Sequence, residues 1–171
     1  MTRTLVVGFG NIFRRDDGVG FAVLNGLRER LGRPPMSADA YGYDALGHEL
    51  DTLFVHQLVP EMAEVVAGYD LIVFVDAHTG VVPDLIREKE VIAGYGSTQV
   101  SHQLAPCALL AMARDLYAGH PRGVLLSIRG YDFDFGEELS TQTAALVTES
   151  VDRILAWVAD DRRDTVRDRY D

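Results

Sequence analysis

Val6-Val7-Gly8-Phe9-Gly10-Asn11-Ile12-Phe13-Arg14-Arg15-Asp16-Asp17-Gly18-Val19-Gly20 is the stretch that decides how this chain folds. The apolar run Leu5 to Val7 ends in two closely spaced glycines. A polar loop follows, then two adjacent carboxylates, then a glycine-flanked helix start. That order reads as a strand, a tight turn and an acidic pair held just outside the strand's carboxyl end. Open α/β sheets bind ligands at that end, so the two acids stand where chemistry is usually done. Gly8-x-Gly10 invites a dinucleotide reading, but that fingerprint needs a third glycine where Phe13 stands and a helix directly after the turn. Carboxylates at the turn would repel a pyrophosphate, and no nucleotide cofactor is expected.

Outward from this stretch, strands and helices alternate. Thr4 to Gly8 reads as the first strand. Val19 to Leu31 reads as the first helix, with Phe21, Leu24, Leu27 and Leu31 on one face and Gly32-Arg33-Pro34-Pro35 stopping it. Residues 33–51 have no steady period and read as a long loop with a helical turn near Leu46. Thr52 to His56 is a second strand and Pro60 to Ala67 a short helix. Leu71 to Val75 is the clearest buried strand, ending at Asp76. Leu85 to Val91 mixes charges with apolar residues, as a solvated edge strand does. Leu104 to Tyr117 is a helix, Val124 to Arg129 a strand, and Ser140 to Ala159 a final helix with Ser140 as N-cap. These elements predict a three-layer α/β/α sandwich with a mostly parallel, twisted sheet of about five strands. Residues 1–162 read as a single domain and the charged residues 163–171 as a frayed tail.

Composition narrows the function classes. A chain of 171 residues with 47% hydrophobic content can bury one sizeable core. No stretch approaches the roughly 20 apolar residues of a membrane helix, and no signal peptide is legible. Cys107 is the sole cysteine, which excludes an intrachain disulfide and a cysteine-based zinc site, and within the apolar Leu104 to Leu110 stretch it reads as a core thiol. These features agree with a cytoplasmic protein, taken as a monomer. A net charge of −10 argues against nucleic-acid or anionic-lipid partners and would draw in a positively charged segment.

One of Asp16 and Asp17 is expected to cap the first helix, leaving the other free as a ligand. Asp76 leaves a buried strand at its carboxyl end. Two carboxylates at adjacent strand ends with one histidine make a mixed oxygen and nitrogen site for a divalent transition metal. His102 is the natural third member, with His56 and His78 as alternates. His56-Gln57-Leu58-Val59-Pro60 and His102-Gln103-Leu104-Ala105-Pro106 echo each other, each with a histidine before a proline-started helix. No Gly-x-Ser-x-Gly elbow and no His-Glu-x-x-His pattern occurs; His48-Glu49 has no following partner.

Taken together, Gly8-Phe9-Gly10-Asn11, Asp16-Asp17-Gly18-Val19-Gly20, Val75-Asp76-Ala77 and Ser101-His102-Gln103-Leu104 give the chain a pattern that resembles the hydrogenase maturation proteases over about residues 3–160. The resemblance implies an endopeptidase that removes the C-terminal extension of a nickel-loaded [NiFe] hydrogenase large-subunit precursor. It implies that Asp17, Asp76 and His102 are at once the catalytic residues and the metal-contacting triad, with nickel supplied by the precursor. The precursor is the implied partner. Water activation by the metal, or by one of the carboxylates, both remain open on this reading. The rival reading is a non-enzymatic nickel-binding maturation factor on the same fold. In place of the Gly-Gly-Thr-like loop of many family members, this chain has His56-Gln57-Leu58-Val59-Pro60-Glu61, which would bring His56 near the metal side. The 33–51 segment looks extended.

Overall fold

The computed structural model describes residues 2–96 and 103–167, with side chains through Asp160. Five strands, β1 (Thr4–Phe9), β2 (Leu50–Val55), β3 (Leu71–His78), β4 (Ile86–Val91) and β5 (Arg122–Arg129), form one sheet in the order β2-β1-β3-β5-β4. All neighbours are parallel except β4, which runs antiparallel to β5 at the edge. The helices are α1 (Val19–Arg30), α2 (Met62–Ala67), α3 (Pro106–Tyr117), α4 (Thr141–Ala144) and α5 (Val147–Arg167). The three-layer α/β/α sandwich is therefore the observed architecture.

Strand alternation sorts the core into two halves. Val6, Val73, Val75, Leu126 and Ile128 face α1 and α5, where Val23, Leu24, Leu27, Val151 and Ile154 close over them. Leu5, Val7, Ile72 and Phe74 face α2 and α3, against Met62, Val66, Leu109 and Leu110. Phe21 and Leu31, at the ends of the α1 stripe, are partly buried, and Phe21 meets the Phe54 ring edge-on at 5.1 Å.

Several boundaries differ from expectation. β2 begins at Leu50, before the expected Thr52, because the buried carboxylate of Asp51 accepts hydrogen bonds from the Tyr69 hydroxyl (2.8 Å) and the Gly47 amide (3.0 Å). β3 continues past Val75 to His78, since β5 offers it a partner at every residue from Leu71–Arg122 to His78–Arg129. The expected final helix is two helices: Thr143 is fully buried and its hydroxyl donates to the Arg129 carbonyl (3.0 Å), and the chain turns at Ala145-Leu146 before α5. Ser140 is the N-cap of α4, accepting from the Thr143 amide (3.3 Å). The 33–51 segment is irregular apart from a 3-10 turn at Tyr43–Ala45. It is pinned by the buried Arg28, which donates to the Pro34 carbonyl (2.6 Å) and Thr52 Oγ1 (3.1 Å). Cys107 is half-buried, not a core thiol, because it lies in the half-buried first turn of α3, before the buried Leu109 and Leu110. Among the described residues no helix is long and apolar enough to cross a membrane.

Candidate active site

The strand order puts β1 between β2 and β3, so the chain leaves β1 and β3 at neighbouring carboxyl ends. That is the topological switch point, where the crevice of an open α/β sheet lies. Gly8 pairs with Val75, which sets Phe9 beside Asp76. After Phe9 the backbone turns sharply at Gly10, whose φ of +145° is reserved for glycine. A Cβ there would stand 2.1 Å from the Asp17 carbonyl oxygen. This close approach lets the Asn11 amide donate to Asp17 Oδ2 at 2.7 Å. A 3-10 turn, Arg15–Gly18, then carries both acids and packs against β3.

The two acids have different surroundings. Asp16 is fully buried. Its carboxylate accepts from the amides of Tyr131 (2.7 Å), Asp132 (2.8 Å) and Ser140 (2.7 Å) and from Ser140 Oγ (2.7 Å). Burial works to raise its pKa, but the Ser140 hydroxyl and these amides together hold it below the ordinary carboxylate value. Neither acid caps α1, contrary to expectation: the N-cap of α1 is Gly18, with no side-chain cap. Asp16 instead ties the loop after β1 to the loop after β5. The same two loops are joined by Gly136 N to Phe13 O (2.9 Å), Arg15 N to Gly136 O (2.9 Å) and the Arg15–Asp132 ion pair (3.1 Å). Phe13 and Phe135 are left exposed on this rim.

Asp17 uses only Oδ2 in a hydrogen bond, leaving Oδ1 without a partner among the described residues. Asp76 uses Oδ1, which accepts from the Ala77 amide at 2.7 Å, leaving Oδ2 likewise. Burial pushes the Asp76 carboxyl up to about 7; the Ala77 amide opposes this and the Asp17 charge adds to it. The register of β1 against β3, and the packing of the 3-10 turn on β3, bring the two expected acids to the same strand ends. Two free carboxylate oxygens suit a divalent cation or a proton-accepting role.

Of the histidines, His102 lies outside the described residues. His56 is exposed at the carboxyl end of β2. His78 is 8% exposed, two residues beyond Asp76 on the same strand. Its Nδ1 accepts from the Gly80 amide (3.1 Å), and its Nε2 is buried with no hydrogen-bond partner of good geometry among the described residues. Burial lowers its pKa; the Asp84 backbone and charge oppose this, and the Arg129 and Arg87 charges add to it. Among the described residues no three His, Cys, Asp or Glu side chains converge on one metal position. Two features were not legible beforehand: the structural use of Asp16, and the burial of His78, whose signal was its period-two spacing from Asp76.

No protein-family model and no curated protein matches the chain. Solved structures do. The hydrogenase maturating endopeptidase HybD from E. coli superposes with a TM-score of 0.67 at 16% identity, covering 93% of both chains. The [NiFe] hydrogenase maturation protease HycI from Thermococcus kodakarensis gives a TM-score of 0.60 at 19% identity, covering 93% of this chain and 91% of that one. The hydrogenase 2 maturation peptidase from Thaumarchaeota archaeon SCGC_AB-539-E09 gives 0.60 at 20% identity, covering 92% and 98%. At these identities the likeness is one of fold. The chain has the fold of the hydrogenase maturation endopeptidases.

Proposed function

We propose that this protein is an endopeptidase that removes the C-terminal extension of a nickel-loaded [NiFe] hydrogenase large-subunit precursor. The observation that carries the reading is the Asp17–Asp76 pair at the switch point, each acid with one unengaged oxygen, on a fold shared with named maturation endopeptidases. Asp17 Oδ1 and Asp76 Oδ2 are the groups offered to the precursor's nickel, with His102 as the third. A carboxyl with a pKa near 7 is also suited to take a proton from an attacking water at neutral pH. The protein's own metal content plays no part in this reading: the nickel belongs to the substrate.

The test is the intact mass of a large-subunit precursor, prepared with and without nickel, after incubation with the protein. Loss of a discrete C-terminal peptide from the nickel-loaded form alone is the expected result. Asp17→Ala and Asp76→Ala should each slow that loss about 100-fold or more. Cleavage that ignores nickel would remove the metal-contacting role given to the triad. Unchanged cleavage by both alanine variants would remove the site.

A further inference from the structure

Strand β4 separates its charges by face. Its Arg87-Glu88-Lys89-Glu90 alternation sends Glu88 toward α5, where it accepts from Arg153 Nη1 (3.1 Å) and Trp157 Nε1 (2.7 Å). Arg87 and Lys89 project from the other face, which also carries Asp76 and His78. There they line a cavity of about 90 Å³ with His78, Leu125 and Ser127. Asp76, Ser127 and Arg87 stand in one row across β3, β5 and β4. The cavity thus lies one to two strand spacings, about 5–10 Å, from the Asp76 position.

Beside the apolar Val81, Val82 and Leu125, each polar group that lines it can donate a hydrogen bond. With Nδ1 occupied by the Gly80 amide, His78 carries its hydrogen on Nε2, which is buried and makes no hydrogen bond of good geometry among the described residues, the Asp84 backbone being the acceptor that reaches the ring. The Ser127 hydroxyl makes no hydrogen bond among the described residues. Arg129 stacks on the Tyr131 ring at 4.9 Å and covers Gly80, where a Cβ would fall 0.9 Å from Nη1. Among the described residues neither Arg87, Lys89 nor Arg129 forms an ion pair. Asp84 is the acid whose charge reaches His78. In a chain of net charge −10, three cations without ion-pair partners around a buried N–H are a local reversal of sign. This arrangement suits a small anionic acceptor.

We propose that this cavity is a carboxylate subsite of the active site, which holds an acidic side chain or a chain end of the polypeptide being cleaved. The proposal rests on the endopeptidase reading for the identity of its ligand, but not for the existence of the subsite. A cavity of this size admits a carboxylate.

The experiment is a titration of the full chain, with ¹⁵N-labelled histidine, followed at the His78 Nε2–H signal by NMR. Acetate should shift that signal saturably and acetamide should not. The Arg87→Gln/Lys89→Gln double variant should weaken acetate binding about tenfold or more. An unsaturable response, an equal response to acetamide, or undiminished affinity in the variant would overturn the subsite. N-acetylglycine and N-acetylglutamate α-methylamide then separate the sources: the tighter of the two identifies a chain end or a side chain. In the precursor assay the double variant should raise KM about tenfold while kcat holds. An unchanged KM would overturn the assignment to the cleaved polypeptide. Absence of any cleavage by the wild type would sink the endopeptidase reading and leave the acetate result to decide the cavity.

Discussion

The carboxylate of Asp16 collects hydrogen bonds from Tyr131, Asp132 and Ser140, while its neighbour Asp17 takes one, from Asn11. Nothing in the dipeptide itself distinguishes them, since each is an aspartate before a glycine-rich helix start. The difference arises from the 3-10 turn, which aims one side chain into the molecule and the other toward the crevice. Asp16→Ala leaves several buried donors unsatisfied and should cost about 3 kcal/mol or more in urea unfolding. An effect below about 1 kcal/mol would show that water replaces the carboxylate. The pH dependences of Asp16 and Asp76 run in opposite directions. Asp16 is held below its unfolded value, so its contribution is present above about pH 4 and is lost as pH falls through the folded value. Asp76 is raised to about 7, so the folded state loses stability as pH rises from the unfolded value through 7. Asp76→Asn should therefore match wild type near pH 4 and exceed it by on the order of 2–4 kcal/mol at pH 8. Equal gains at both pH values would contradict the raised pKa.

At the scale of elements, apolar runs revealed β1, β3 and β5, because a strand buried on both faces leaves a continuous hydrophobic signature. The edge position of β4 was legible in its charges for the same reason of exposure. What periodicity missed was set by partners far along the chain. The start of β2 depends on Tyr69 satisfying Asp51, and the end of β3 on the length of β5. The break before α5 contains no glycine or proline; it follows from burial of Thr143, which no local rule reports. The turn after β1 is the element that the glycine pattern made readable, and its tightness is testable. Gly10→Ala forces a side chain against the Asp17 carbonyl at a φ that alanine resists. It should lower precursor cleavage at least about tenfold, with a fall in stability of about 1–3 kcal/mol. Wild-type cleavage in that variant would show that the loop has room to move.

For the whole molecule, the β2-β1-β3 order alone brings the ends of β1 and β3 together. That is why an acid at residue 17 and another at residue 76 could be paired from sequence, whereas the neighbourhood of His78 could not. The latter depends on β4 returning antiparallel beside β5, which brings Arg87 and Lys89 over from a separate segment. The net charge of −10 acts at this scale as well. Self-repulsion at low ionic strength should be relieved by salt, so the Tm should rise by a few degrees between about 10 and 200 mM sodium chloride. A fall would mean that the surface ion pairs, such as Arg30–Asp152, outweigh the repulsion.

The clamp between Asp16 and Ser140 also has a consequence for the order in which the molecule comes into being. A chain emerging from the ribosome displays the first strand and both acids early, yet the group that fixes their loop is 124 residues further on. Until that late segment is out, Asp16 is a bare charge with no amides to receive it, and the turn that aims Asp17 is unanchored. Translation thus sets its own order: an unfinished or prematurely terminated copy carries Asp16 and Asp17 without the means to aim them.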